Sequence, residues 1–215
     1  MRKPNRPYRG RDDRRRKNPQ ELEDFAYVLD VMRKWSEDRR SGTVREEFIV
    51  YAIGDKNFTL LELTPKRNAH LDIGERVYIG KNIKLRDKIE KVRRKVFYDE
   101  LSDMAKKSLP MVLERIISDQ EGRFIEFINT AGPLNLRTHK LELIPGLGKK
   151  VVKQIIDERS KEPFKSFEDL RSRVKGIQDP IKMFRERILK EMLEEEIPVR
   201  LFTHYQKKPA PRSII

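Results

Sequence analysis

The apolar residues of this chain keep two different periods, one on each side of about residue 100, and that change limits the fold more than any other feature. Phe25, Tyr27, Leu29 and Val31 alternate with other residues, as one face of a β-strand requires. After a polar stretch containing Gly42, "VREEFIVYAIGD" is rich in β-formers, Asp55, Lys56 and Asn57 turn the chain, and "FTLLELTP" follows, closed by Pro65. Gly54 and Asn57 are the residues expected to take positive φ in that hairpin. "DIGERVYIG" adds a glycine-bounded strand around Val77 and Ile79. Within Lys81–Lys95, Ile89 and Val92, and Val96 just beyond, have helical spacing, so a short helix or loop is predicted, leading into a strand at about Lys95–Tyr98. Short strands with such turn signals predict a small barrel or a strongly twisted sheet.

Beyond residue 101 the period becomes helical. Leu109, Val112, Leu113, Ile116 and Ile117 form one stripe, and Phe124, Phe127, Ile128 and Ala131 a second, with Gly122 expected between them. These stripes read as core. "LRTHKLELI" then predicts a short helix, "PGLG" a tight connection and "KKVVKQIIDERS" another helix, with Leu141, Ile144, Leu147, Val151, Val152, Ile155 and Ile156 as their shared apolar seam. The fold class that follows is α+β, with the strands first and the helices after them.

Charge separates the same regions. The net charge is +14, and residues 1–20 carry +7, residues 21–132 are neutral, residues 133–192 carry +6, Glu194–Glu196 carry −3 and residues 199–215 carry +4. Within the neutral part, Lys81–Lys95 holds eight basic residues against Asp87 and Glu90. Clustered cations of this kind are the footprint of a polyanionic partner, against a plainly solvated surface as the other explanation. The first twenty residues have almost no apolar side chains and read as a flexible basic arm. With no cysteine, disulfides and thiolate metal sites are excluded; His70, His139 and His204 lack the spacing of metal ligands, and no phosphate-binding P-loop occurs. No metal and no cofactor is expected. No apolar run approaches membrane-spanning length and no signal-peptide core is present, so no membrane partner is expected and a cytoplasmic location is the default.

The glycine connection supplies a chemistry. Gly146 and Gly148 permit backbone angles and approaches that a Cβ obstructs. The turn presents the first amides of the following helix, which lack intrahelical acceptors and sit at the positive end of the helix dipole. Lys149, Lys150 and Lys153 add charge on the same turns. The stretch resembles the helix-hairpin-helix motif of DNA repair, recombination and DNA-uptake proteins, from Leu134 to about Ile177. "PFKSFEDL" followed by "RVKGI" is similar to the connection between paired hairpins in competence-type DNA-binding domains. The second unit, "VKGIQDPIKMFRERILKEM", keeps Gly176 but has Gln178 in place of a second glycine, followed by Asp179. Lys175 and Lys182 are its remaining candidates for phosphate contact. The resemblance implies nucleic-acid contact through Gly146, Leu147, Gly148, Lys149, Lys150, Lys153, Lys175, Gly176 and Lys182.

Taken in order, "FAYVLD", "NFTLLEL", "GERVYIGK" and "LELIPGLGKK" resemble the archaeal domain-of-unknown-function family 655 over about Phe25–Glu194. That resemblance implies an OB-like β-barrel followed by an all-α helix-hairpin-helix region. The organisation expected is a basic arm over 1–24, a barrel over 25–100, a helical connector over 101–132, paired hairpins over 133–196 and a basic tail over 197–215. Tyr51, Phe58 and Tyr78 are core residues or, on an open barrel face, stacking residues; Trp35 has no assigned role. The expected function is non-catalytic binding of DNA or RNA with little sequence specificity. Two alternatives stand beside it: a protein-binding scaffold or assembly factor of the ribosome or transcription apparatus, and a glycosylase-like enzyme. The latter would use Lys150 for a Schiff base and Glu168 or Asp169 as the carboxylate. "SFEDL" reads instead as the start of a helix.

Overall fold

The computed structural model describes residues 23–37, 44–194 and 196–204. The expected basic arm lies outside them as far as residue 22, and so does the expected tail beyond residue 204. Five strands, β1 (Phe25–Glu37), β2 (Val44–Gly54), β3 (Leu60–Pro65), β4 (Arg76–Tyr78) and β5 (Ile89–Lys95), make one antiparallel sheet in the order β4-β1-β2-β3-β5. Five helices follow: α1 (Asp103–Asp119), α2 (Glu121–Thr130), α3 (Lys149–Lys161), α4 (Phe167–Arg173) and α5 (Pro180–Leu193).

The sheet curls because its two edges share one core. In a flat five-stranded sheet the outer strands would stand about 19 Å apart. Here Val77 and Ile79, at β4, and Ile89 of β5 join Ala26, Val28, Val50, Ala52, Leu61 and Leu63 in a single buried cluster. Side chains bridge the gap that no ladder closes: Lys88 pairs with Glu75, and the Arg86 guanidinium donates to the Gly80 carbonyl at 3.0 Å. The result is an open half-barrel.

The other face of the sheet carries Tyr27, Leu29, Ile53 and Leu60 against Leu109, Val112, Leu113, Ile116 and Ile117 of α1. Leu29 is the extra residue of a β-bulge, since Val28 pairs with Ala52 and Asp30 with Tyr51. Its carbonyl is taken by the Ser108 hydroxyl at 2.6 Å, so α1 satisfies the group that the bulge removes from the ladder. The same buried cluster continues into the later helices through Phe124, Leu141, Ile155, Phe184 and Phe202. The helices expected over 101–132 therefore share one buried cluster with the sheet before them and the helices after them.

Four expectations change. The strand expected at Lys95–Tyr98 lies at Ile89–Lys95. Bulges at Glu90 and Arg93 explain the misreading: Pro65 pairs with Ile89, Thr64 with Lys91, Leu63 with Val92 and Glu62 with Arg94. An extra residue between Ile89 and Val92 puts residues three apart on one face, which imitates a helix. The first helices part at Gln120, leaving Gly122 inside α2. The helix expected in "LRTHKLELI" is a single 3-10 turn, Lys140–Leu143. Finally, residues 199–204, assigned to the tail, fold back against α5. The carboxylate of Glu191, fully buried, accepts from the amides of Leu201, Phe202 and Thr203, while Arg187 donates to Glu191 and to the Val199 carbonyl.

The β2–β3 turn shows why a glycine stands at 54. Neither Gly54 nor Asn57 has positive φ; Phe58 does, at 55°. Gly54 instead makes room for Glu23, whose carboxylate accepts from the amides of Lys56 (3.0 Å), Asn57 (3.0 Å) and Thr59 (3.2 Å). A Cβ at position 54 would stand 2.1 Å from Glu23 Cδ. Glu23→Ala should therefore cost about 1–3 kcal/mol by leaving turn amides without their acceptor. Gly54→Ala should also destabilise, and adding it to Glu23→Ala should cost far less than it does alone. Urea denaturation of the two single variants and the double variant measures that coupling.

Candidate nucleic-acid interface

The glycine turn begins with a tightly held entry. His139 caps the 3-10 turn: its Nδ1 accepts from the Leu141 amide at 3.1 Å, and Glu142 accepts from the His139 amide at 2.8 Å. Ile144 and Leu147 are buried, and the Leu147 amide donates to the Ile144 carbonyl at 3.1 Å. Leu147 thus anchors the turn in the core, and its amide is spent there; it does not offer the surface contact expected of it. Gly146 takes φ 87°, a conformation that L side chains rarely adopt.

The helix that follows starts bare. Gly148 is the N-cap of α3, with no side-chain cap and no acidic residue in the first turn. The amides of Lys149, Lys150 and Val151 have no acceptor among the described residues, as expected for the first turn of an uncapped helix. Gly146, Gly148, Lys149, Lys150 and Lys153 are all exposed, and the three lysines have no acidic partner among the described residues. Donors, positive dipole end and ammonium groups therefore occupy one patch of surface.

The second turn packs beside the first but is built differently. Gly176 takes φ 97°, and Ile177 is buried as Leu147 is. A Cβ on Gly146 would lie 3.8 Å from Met183 of α5, and one on Gly176 would lie 3.5 Å from Val151 of α3. Each turn thus leans on the helix that follows the other, which brings the starts of α3 and α5 together. Yet α5 begins with Pro180, which has no amide hydrogen, and Asp179 caps it by accepting from the Lys182 amide at 2.9 Å. A carboxylate occupies the place that an anion would take. Lys175, Gly176 and Lys182 are exposed, and both ammonium groups lack an acidic partner among the described residues.

Partly buried guanidinium groups tie this region together. Arg159 of α3 donates to the carbonyls of Ile128 (2.6 Å) and Ala131 (2.7 Å), closing the end of α2. Arg173 donates to the carbonyls of Glu158 (2.7 Å) and Glu162 (2.8 Å), closing the end of α3. Asp169, one carboxylate of the glycosylase-like alternative, accepts from the Lys165 amide and pairs with Arg173 at 3.2 Å, within a helix capped by Ser166. Among the described residues, no three His, Cys, Asp or Glu side chains gather as metal ligands would, and no helix is long and apolar enough to cross a membrane.

On the half-barrel, Phe58 is buried and Tyr51 and Tyr78 are partly so. The exposed aromatic residues are others. Beyond the ends of β3 and β4, β1 and β2 run on as a two-stranded ribbon that carries Trp35 (67% exposed) and Phe48 (45% exposed). Val31 pairs with Val50, Arg33 with Phe48 and Trp35 with Glu46, so past the bulge these residues share the face opposite Tyr27 and Leu29, and the single face expected for Phe25 to Val31 ends at Leu29.

The family model described as "Protein of unknown function (DUF655)" matches residues 22–204. The uncharacterized protein MJ0038 of Methanocaldococcus jannaschii is 38% identical over 192 residues, which are 87% of this chain and 84% of that protein. The crystal structure of Af1531 from Archaeoglobus fulgidus, assigned to the same family, superimposes with a TM-score of 0.74 at 42% identity, covering 85% of this chain and all of that one.

The His139 cap makes the turn sensitive to acid. Burial, and next the nearby Arg159 charge, hold the imidazole pKa below its ordinary 6.5. The unfolded chain then binds more protons than the folded one in the window just below pH 6.5. Stability should be full above 6.5 and fall as the pH drops through that window. Urea midpoints measured down that range should decline less steeply for His139→Asn, which can cap without titrating.

Proposed function

The chain belongs to the DUF655 family, and we propose that it is a non-catalytic, cytoplasmic nucleic-acid-binding protein that grips the phosphate backbone with a helix-hairpin-helix unit. The observation that carries this reading is the start of α3. Amides of Lys149, Lys150 and Val151 have no acceptor among the described residues, three exposed lysines stand beside them, and no carboxylate lies in the first turn. A phosphate placed there completes the hydrogen bonds that the helix leaves open. The second hairpin contributes Lys175 and Lys182 as charge and packs as a partner to the first, while Asp179 keeps its own helix start from binding an anion. Contacts of this type fix position along a strand and carry little base information, so weak sequence preference follows. The half-barrel adds a second surface, with basic residues concentrated at β5 and the segment before it.

Lys150 serves this reading as a charge and not as a nucleophile. The ammonium group is exposed, and Asp169 is occupied at the start of α4. Fluorescence anisotropy with duplex DNA, single-stranded DNA and structured RNA at several salt concentrations tests the proposal. Affinity for at least one of them should fall steeply with salt, and Lys149→Glu/Lys150→Glu should weaken it by about 100-fold while the urea midpoint stays put. Unchanged affinity in that variant would remove the glycine turn from the interface, and absence of binding to all three would favour a protein-binding scaffold. A borohydride-trapped adduct at Lys150 would make the chain an enzyme.

A further inference from the structure

A guanidinium reaches across the gap between β4 and β5. Arg86 donates from Nε to the Gly80 carbonyl at 3.0 Å and from Nη1 to the Glu90 carbonyl at 3.3 Å, one on each side of the gap. Its main chain is held as well. The Arg86 amide donates to the Ile83 carbonyl at 3.2 Å, and its carbonyl accepts from the Lys66 ammonium group. A guanidinium carries five N–H donors in one plane. The pair on Nη2 has no acceptor among the described residues, where Arg86 also has no carboxylate partner. Donors fixed in place and still unspent suit the charge-assisted hydrogen bonds that a phosphate accepts.

Arg86 borders a groove of about 410 Å³, a size within the range of small-ligand sites. Such a space admits a nucleotide unit and not the width of a duplex. Lys81 and Lys91 line it, both exposed and without an acidic partner among the described residues. The other charges on its walls are mostly spent. Arg93 and Arg94 pair with Glu47, Glu62 and Glu100. Glu23 is turned onto main-chain amides, which leaves Asp24 as the carboxylate on the wall. Among the described residues no aromatic side chain lines the groove, so nothing there stacks on a base.

We infer that Arg86, flanked by Lys81 and Lys91, forms a phosphate site in the open seam of the half-barrel that takes the backbone of a single nucleic-acid strand without reading its bases. This anchor rests on the reading of the half-barrel as a nucleic-acid surface and needs nothing from the glycine turn. A free nucleotide would leave its base unheld here, whereas a strand supplies a run of phosphates for the three cations. An acidic peptide would bring carboxylates to the same groups, and the experiment separates it from a strand.

The test uses the full chain carrying Lys149→Glu/Lys150→Glu, so that the start of α3 adds nothing. Fluorescence anisotropy at low salt follows dT and rU strands of about 10 nucleotides. Both should bind with similar affinity, and an abasic strand of equal length should displace them equally well. Arg86→Lys keeps the charge and loses the fork, and should weaken binding by about 10-fold. Lys81→Glu/Lys91→Glu should weaken it at least as much and flatten its salt dependence. Urea midpoints show whether Arg86→Lys has opened the seam; if it has, the lysine pair decides alone. Absence of binding in this background, or full affinity in the lysine variant, overturns the site, and full affinity in a folded Arg86→Lys chain removes its anchor. Displacement by a mononucleotide, or by poly-glutamate of similar length, as readily as by the abasic strand also overturns the proposal. If Lys149→Glu/Lys150→Glu binds strands as the unaltered chain does while the groove variants lose them, the glycine-turn reading fails and the groove stands by itself.

Discussion

A buried main-chain turn has to find partners for its amides and carbonyls, and the turn between β2 and β3 finds them all over the molecule. Its amides are met by Glu23 from the start of β1. Its carbonyls are met by Gln120 and Arg123 at the junction of α1 and α2, at 3.1 Å and 3.0 Å for Asp55 and 2.6 Å for Lys56. The Asp55 side chain pairs with Arg76 of β4, whose guanidinium also covers the Phe25 ring at 3.5 Å. Unpaired, each of these groups would oppose folding by an amount comparable to a lost hydrogen bond. Paired, they lock sheet to helices without a large interface, because each bond spans a long stretch of sequence. Burial lowers the pKa of Arg123.

The helical half relies on a second buried carboxylate. Glu191 and Arg187 form an ion pair at 2.8 Å inside the core, an arrangement that is costly to desolvate unless other bonds complete it. They are completed: Glu191 takes the amides of the returning chain, and Arg187 reaches the Leu143 carbonyl beside the glycine turn and the Val199 carbonyl beyond α5. The aromatic rings of Phe124, Phe127, Phe184 and Phe202 pack over the same spot with centroids 4.8–6.3 Å apart. One helix is thereby tied to the turn at its front and to the half-barrel at its back. This is how a charged, mostly polar surface can be presented by a stiff frame.

Much of this could be read from the order of residues. The β-forming runs of β1 and β3 and the clean stripe of α1 reported local structure faithfully, because each signal is set by residues close in sequence, although both strands bury both faces. The glycine turn was legible for the same reason: Gly146, Leu147 and the lysines after them act locally. What escaped reading depends on partners far away. Bulges in β5 follow from its pairing with β3, so Ile89 and Val92 carried a misleading spacing. The roles of Gly54, Glu23 and Glu191 are set by groups that come close only after folding. Trp35 was obscured because its strand continues where the neighbouring strands have stopped. The entry to α3 shrank to one 3-10 turn, since the bridge between Pro133 and His139 and the loop around Asn135 consume the residues a helix would need.

The reciprocal leaning of the two glycine turns gives the helical half an approximate twofold frame, yet the two starts carry opposite chemistry. One is bare and cationic; the other is plugged by Asp179 and begins with an imino acid. A frame with equal ends could seat a ligand either way round. This one has a head and a foot: bare amides beside lysines at one start, a carboxylate already seated on the other, so the two ends are not interchangeable.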